Sequence, residues 1–102
     1  MAPESVIDIV KKYISIMPAD LKPRSVWLFG SQVRGSASED SDIDVAMVFD
    51  KLEDIFKQQF RLMKARRGID LRIEPHPFKK THFNVQNPFA AEIIRTGIQI
   101  NI

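Results

Sequence analysis

Two short segments in the first half of the chain have the residue types of buried β-strands. Residues 25–29 are rich in β-branched and aromatic side chains and are apolar on both faces, which predicts a central strand of a sheet. Residues 42–49 place an apolar set on one face, while the other face begins with the carboxylates Asp42 and Asp44. One end of this second strand is therefore expected to be exposed to solvent, and the rest is expected to be buried.

Helical patterns alternate with these strands. Apolar positions recur every three or four residues over 4–17, which predicts an amphipathic helix that Pro18 ends. A helix over residues 88–96 starts with a proline and is capped by Gly97. Between these two, another amphipathic helix is marked by the stripe Leu52, Ile55, Phe56, Gln59, Phe60 and Met63.

Two further strands complete the predicted order of elements. Apolar and polar residues alternate over 69–74, which predicts a third strand that ends at Pro75 and Pro77. Residues 78–87 look irregular, and residues 98–101 form a short terminal strand. Because strands and helices alternate throughout, the expected fold class is α/β or α+β, in one domain that takes in all 102 residues.

The composition excludes several classes of protein. The chain has no cysteine, which excludes thiolate zinc sites and cysteine nucleophiles. It has 15 Lys and Arg against 13 Asp and Glu, and a net charge of +2 is far from the excess of a dedicated DNA-binding protein. No apolar run approaches the ~18 residues of a membrane span, and the N-terminus has no basic, apolar leader. We therefore expect a cytoplasmic protein that does not bind membranes.

Glycine and acidic residues concentrate where the strands begin and end. Gly30 and Ser31 directly follow the first strand, where glycine lets the backbone approach a ligand and exposed N–H groups can hold phosphate oxygens. Asp42 and Asp44 lie close together on one face of a strand. Their two negative charges repel each other unless a cation lies between them. Asp70, at the start of the third predicted strand, could supply another oxygen ligand. Together these residues indicate Mg²⁺ and a nucleoside triphosphate.

Two rival motifs fail on the residues themselves. The residues do not fit a P-loop beginning at Gly30, because Ser36 stands where its lysine is required. An EF-hand loop beginning at Asp40 is excluded because Val45 replaces its glycine and Lys51 replaces its final glutamate.

The pattern Gly-Ser, ten residues, Asp-x-Asp resembles the nucleotidyltransferase superfamily related to DNA polymerase β, and in particular its minimal nucleotidyltransferases. The matching motifs are Gly30-Ser31-x-x-Arg34-Gly35, Ser41-Asp42-Ile43-Asp44 and Ile69-Asp70-Leu71. The resemblance spans the chain and is strongest over residues 28–49. It implies a mixed β-sheet flanked by helices, two Mg²⁺ ions, and transfer of a nucleoside monophosphate with release of pyrophosphate.

The resemblance also implies a role for each motif residue. Gly30 and Ser31 would bind the β- and γ-phosphates, and Asp42 and Asp44 would ligate the metals. Asp70 would complete the metal that activates the attacking hydroxyl and could act as its general base. Two cations can stabilise the attacking and leaving oxygens of an in-line displacement together, so few protein residues are needed.

The resemblance further implies a partner. Minimal nucleotidyltransferases lack the domain that larger relatives use to hold a small acceptor, so the acceptor comes from another molecule. The acceptor is expected to be a HEPN-domain ribonuclease toxin encoded beside this chain. This chain would act as the antitoxin by attaching AMP from ATP to a tyrosine of the toxin. The alternative is a non-catalytic, toxin-neutralising module that keeps the fold. Transfer to an RNA end or to a drug is a weaker hypothesis, because the sequence shows no RNA-binding face and no acceptor pocket.

Several residues have a structural alternative to a functional role. Arg34 could bind a phosphate, or it could pair with Glu39 or Asp40. The basic residues at 64–67 fit the C-terminal turn of a helix more simply than they fit a nucleic-acid contact.

Other side chains with chemical potential are expected to be structural. His76 and His82 are not expected to bind metal. Trp27 and the seven phenylalanines are expected in the core. A partner-binding surface is the alternative for three of the phenylalanines, namely Phe78, Phe83 and Phe89. Homo- and hetero-oligomers both remain open.

Overall fold

A computed structural model describes residues 3–102 of the chain. Its sheet has four strands, which are β1 (Ser25–Phe29), β2 (Ile43–Phe49), β3 (Ile73–Lys79) and β4 (Ile98–Ile100), in the spatial order β3-β2-β1-β4. β1 pairs antiparallel with β2 and β4, whereas β2 pairs parallel with β3. The sheet is therefore mixed, and the predicted central position of the first strand is confirmed.

Helices accompany this sheet over the same residues 3–102. They are α1 (Glu4–Ser15), α2 (Ser31–Arg34), α3 (Ile55–Ala65) and α4 (Pro88–Thr96), with 3₁₀ turns at Ala19–Leu21, Arg66–Gly68 and Lys80–His82. None of the helices in this described part of the chain combines the length and the apolar character that crossing a bilayer requires. The expected α+β class is confirmed.

The main hydrophobic core lies between α1, α3 and one face of the sheet. α1 contributes Val10 and Tyr13, and α3 contributes Leu62, all fully buried. The Tyr13 hydroxyl donates a hydrogen bond of 2.7 Å to the carbonyl oxygen of Leu62, and burial raises the pKa of this hydroxyl. The strands contribute Val26, Leu28, Ile43, Val45, Met47, Phe49, Ile73 and Ile100.

α4 packs against β1 on the opposite face of the sheet. The side chain of Asn87 caps the helix by accepting hydrogen bonds from the backbone N–H groups of Phe89 and Ala90. Pro88 occupies the first turn, as predicted. Ala90 and Ile93 are buried, so the sheet is covered on both faces.

The predicted third strand is wrong in its bounds. The sequence predicts a strand over 69–74 that ends at the prolines, but β3 runs from Ile73 to Lys79 and contains both Pro75 and Pro77. The reason is that β3 is an edge strand whose only neighbour in the described residues is β2. Proline lacks an N–H group, and an edge strand tolerates this where that group would face away from the sheet.

Side chains protect the free edge of β3. Arg66 donates a hydrogen bond of 2.7 Å to the carbonyl oxygen of Ile73, and Gln59 donates one of 2.9 Å to the carbonyl oxygen of Pro75. These carbonyls point away from β2. Since Pro75 and Pro77 also remove two donors, this edge offers little to an incoming strand.

Three phenylalanines are exposed, contrary to the prediction that all seven lie in the core; two are on α3, and the third, Phe89 on α4, is 47% exposed. Phe56 is 85% exposed and Phe60 is 61% exposed, whereas Leu62 is the buried residue of α3. The helix packs on the sheet through Leu62. Ile55 and Gln59 lie on either side of that contact, and their side chains are only partly covered. Hydrophobic periodicity identified the helix, but it did not identify the face that meets the sheet.

Candidate active site

The turn between β1 and α2 holds the backbone in a conformation that favours glycine. Gly30 has φ 79° and ψ −151°, a region that residues with a Cβ rarely adopt. A Cβ atom on Gly30 would lie 2.5 Å from Oδ2 of Asp44. The predicted phosphate-binding turn therefore lies directly against one of the predicted metal ligands.

Gln32 ties this turn to the start of β2. Its side chain is buried, and its Nε2 donates to the carbonyl oxygen of Asp42 at 3.3 Å, with a longer contact of 3.5 Å to that of Ser41. A buried amide needs such partners. Gln32 therefore fixes Asp42 relative to the glycine turn, a positioning role for which the sequence pattern gave no signal.

Ser31 and Arg34 begin and end α2. The first N–H groups of a helix lack partners within the helix, so the backbone N–H of Ser31 remains available to a ligand. Arg34 is exposed, and its guanidinium has no hydrogen bond or ion pair within residues 3–102. The alternative pairing of Arg34 with Glu39 or Asp40 is therefore not formed.

His76 contacts Asp44 from the neighbouring strand. Its Nε2 lies 3.2 Å from Oδ1 of Asp44, and because an ionised carboxylate only accepts, Nε2 carries the hydrogen. The rings of Phe29 and Phe89 flank the imidazole at centroid distances of 5.1 and 5.9 Å. The sequence missed this contact because Pro75 and Pro77 suggested an irregular segment where the structure has β3.

β3 also brings a third carboxylate, Glu74, to this face of the sheet. Glu74 is the register partner of Asp44 on the parallel strand β2, so the two side chains project from the same face of strands that lie about 4.8 Å apart. Within residues 3–102, the carboxylates of Asp42 and Glu74 have no hydrogen-bond or ion-pair partner. Three acids thus gather at one end of the sheet with two of them uncompensated.

Asp70 lies before β3, and Arg72 occupies its carboxylate. The backbone N–H of Arg72 donates to Oδ1 at 2.9 Å, and Nη2 of the same residue donates to Oδ2 at 2.8 Å. Nη1 of Arg72 also donates to the carbonyl oxygen of Glu39 at 3.1 Å. This pair fastens the loop that leads to Asp42. The prediction that Asp70 lies on a strand is wrong, since β3 begins three residues later.

The Asp70–Arg72 pair makes the stability of the fold depend on pH. The hydrogen bonds from the Arg72 guanidinium lower the pKa of Asp70 from its ordinary value of 3.8. A carboxyl whose pKa is lowered by folding stabilises the protein above the unfolded pKa and loses this effect as the pH falls through the folded pKa. We expect Asp70→Asn to lower the free energy of unfolding by about 1–2 kcal/mol at neutral pH.

Urea denaturation of both proteins at a series of pH values measures this difference. It should be constant at neutral pH and shrink below pH 3.8. A difference that stays the same down to the acid limit would show that the charge of Asp70 is not responsible.

The family model described as polymerase beta, nucleotidyltransferase, matches residues 11–101. The chain belongs to this family. The match covers every strand and the whole cluster of Gly30, Asp42, Asp44 and Glu74. The resemblance to nucleotidyltransferases seen in the sequence motifs is thereby confirmed, and with it the assignment to a family of transferases.

Two proteins of Methanocaldococcus jannaschii are similar to this nucleotidyltransferase in sequence. One is named "Putative protein adenylyltransferase MJ0141"; it is 29% identical over 100 residues, which cover 93% of this chain and 98% of that protein. The other is named "Putative protein adenylyltransferase MJ1379"; it is 41% identical over 44 residues, 43% of this chain and 44% of that protein.

Three solved structures share the fold. A structure described as "a putative nucleotidyltransferase from Sulfolobus solfataricus" has a TM-score of 0.57 at 21% identity, covering 91% of this chain and 73% of its own. A toxin–antitoxin with AMP-PNP has a TM-score of 0.58 at 19% identity, with coverages of 93% and 72%. A mutant of the toxin–antitoxin MntA-HpeT has a TM-score of 0.52 at 17% identity, with coverages of 95% and 70%. The nucleotidyltransferase fold is thus confirmed.

The donor chemistry at this nucleotidyltransferase site fits Mg²⁺. Carboxylate oxygens are the ligands that Mg²⁺ prefers, and those of Asp42 and Glu74 are unpaired in the described residues. No group of three or more His, Asp or Glu side chains within residues 3–102 is arranged to hold a metal by itself. This is compatible with Mg²⁺, which proteins commonly bind through one or two carboxylates while phosphates and water fill the other positions.

A groove of about 730 Å³ opens beside Glu74 and His76, along the free edge of β3. Phe78 and Phe89 line one wall, and their rings are in contact at 5.5 Å. Phe89 is 47% exposed. No acceptor pocket was visible in the sequence, because this groove is formed by residues that are distant along the chain.

Proposed function

We propose that this chain transfers AMP from ATP to a hydroxyl group of a partner protein. The observation that carries the proposal is the contact between the Gly30 turn and Asp44, which puts a phosphate-binding turn and a group of acids within one site. Only a substrate that carries both phosphates and a metal uses the two features together. Membership of a nucleotidyltransferase family supports the same reaction.

In the proposed site, the Gly30 turn positions the triphosphate. Gly30 and Ser31 hold the β- and γ-phosphates, and the guanidinium of Arg34, which has no partner in residues 3–102, adds a charged contact. Asp42, Asp44 and Glu74 would hold two Mg²⁺ ions, which when bound neutralise phosphate charge and make an acceptor hydroxyl more acidic.

We assign the third carboxylate role to Glu74 in place of Asp70. Both oxygens of Asp70 accept hydrogen bonds from Arg72, whereas Glu74 is unpaired in the described residues and lies in register with Asp44. Glu74 takes the proton of the acceptor hydroxyl while the oxygen of that hydroxyl attacks the α-phosphorus. The bond from that phosphorus to the bridging oxygen then breaks, and pyrophosphate leaves.

The acceptor is proposed to be a tyrosine of a HEPN-domain toxin, modified in the cytoplasm. The groove beside Glu74 supports an acceptor that enters as a side chain of another protein, because its walls are mainly apolar and aromatic. The names of similar proteins support this direction: two are called protein adenylyltransferases, and two solved neighbours are toxin–antitoxins.

Intact-mass spectrometry tests this function. The chain is incubated with ATP, Mg²⁺ and the HEPN-domain protein encoded beside it, and the partner is expected to gain the mass of one or more AMP groups. A reaction with ADP in place of ATP is the control, since it yields no pyrophosphate. An unchanged partner mass, with a stable complex of the two proteins, would favour the non-catalytic toxin-neutralising module instead.

A further inference from the structure

α3 carries an apolar stripe that the other elements in residues 3–102 leave largely exposed at Phe56 and Phe60 and only partly cover at Met63. Phe56, Phe60 and Met63 recur at intervals of four and three residues, and Arg67 continues the spacing in the turn that follows. This is the spacing of a helix seam that meets another helix. Leu62 faces the sheet, so the stripe points away from it, which explains why Phe56 and Phe60 are 85% and 61% exposed.

The two ends of this stripe carry opposite charges. Glu53 and Asp54 precede the first turn of α3, and Lys64 and Arg67 lie at its end. Within residues 3–102, none of Glu53, Lys64 and Arg67 forms an ion pair. Nζ of Lys64 lies 5.5 Å from the ring centre of Phe60, so this cation already borders the aromatic surface.

We propose that α3 docks antiparallel against α3 of a second copy of this chain, in a two-fold symmetric dimer. In an alignment centred on Phe60, the two Phe60 rings meet at the symmetry axis. Glu53 of each copy then faces Arg67 of the other, and Phe56 faces Lys64 of the other. A two-fold interface uses one patch twice, so the Glu53–Arg67 and Phe56–Lys64 pairs each form twice.

The mixed charge of the stripe favours a second copy over a polyanion. RNA or an anionic membrane would meet Lys57, Lys64 and Arg67 on or beside the stripe, but Glu53 and Asp54 would repel it at the start of the helix. Two largely exposed phenylalanines supply about 300 Å² of apolar surface per copy. The two copies together bury about 600 Å² in this way, which is less than a stable interface needs, so we expect a weak, transient dimer with a dissociation constant in the high micromolar range.

The dimer does not depend on the proposed reaction. α3 packs on the sheet face opposite α4, whereas Asp44 and Glu74 lie on the α4 side. Both nucleotide sites of a dimer would therefore remain open, although Glu53, which faces Arg67 of the other copy, also lines the groove proposed for the acceptor.

Sedimentation equilibrium of the purified chain, over nanomolar to millimolar concentrations, tests the dimer. The wild type is expected to be a reversible dimer, and Phe60→Ala is expected to weaken association at least tenfold. Val85→Ala is the matched control, because Val85 is 72% exposed but lies outside α3. Circular dichroism checks that each variant is folded.

A charge exchange tests the antiparallel register. Glu53→Arg alone and Arg67→Glu alone should each weaken the dimer, and the two together in one chain should restore it. A chain that is monomeric at every concentration, or a dimer that Phe60→Ala leaves unchanged, would overturn the proposal. The proposal would also be overturned if the wild type is a monomer and Phe60→Ala abolishes its binding to the HEPN-domain protein or to labelled oligouridylate. The stripe would then be the binding site for that ligand.

Discussion

Asp44→Asn is expected to slow AMP transfer about 10²- to 10³-fold, because the substitution removes one negative charge from the proposed metal site. Asparagine has nearly the same shape as aspartate, so the contact with Gly30 remains sterically possible. His76, which donates to Oδ1 of Asp44, can still donate to the amide oxygen. The defect should therefore appear in the reaction rate and not in the fold.

Initial rates of AMP incorporation, at saturating ATP and Mg²⁺, measure this effect, and thermal denaturation confirms the fold. Asp50→Asn is the matched control, since it also converts an acid to an amide at an end of β2. Asp50 forms an exposed ion pair with Arg24 at 3.0 Å, and such pairs contribute little. The metal-ligand role would be refuted if Asp44→Asn kept more than a tenth of the wild-type rate.

Glu74→Gln is expected to lower the transfer rate by about 10²-fold or more, whereas Asp70→Asn should leave it within about threefold of wild type. Glu74 is in register with Asp44 and is unpaired in residues 3–102, so its charge is available to the reaction. Asp70 is engaged by Arg72, so its loss should reduce stability and not the chemical step.

The same rate assay compares both variants at a temperature where each is fully folded. The dependence of the rate on Mg²⁺ concentration adds a second readout, since loss of a ligand should raise the concentration required. The opposite ranking, with Asp70→Asn inactive and Glu74→Gln active, would return the third carboxylate role to Asp70.

The contrast between these two acids shows where prediction from sequence stops. The motif Ile69-Asp70-Leu71 alternates like a strand, and the prolines at 75 and 77 look like strand breakers. Only the sheet order makes β3 an edge strand, where proline is tolerated. Once β3 is moved to Ile73–Lys79, the acid beside Asp44 becomes Glu74.

The exposed phenylalanines show a second limit. The stripe on α3 has helical periodicity, and this periodicity correctly predicted a helix. Periodicity cannot distinguish a face that packs on the sheet from one that is left for another molecule. Leu62 packs on the sheet, and Phe56 and Phe60 do not.

The sequence by itself determined the features that are local along the chain. These are the strands β1 and β2, the glycine turn between them, and two acids on one strand face, because turn conformation and side-chain alternation depend on near neighbours. Tertiary structure alone decided which third acid joins the pair, how His76 and Gln32 hold the two acids of that pair, and which helix face stays uncovered. Those features depend on the register of β3 against β2 and on the rotation of α3 over the sheet, which are set by contacts between residues far apart in sequence.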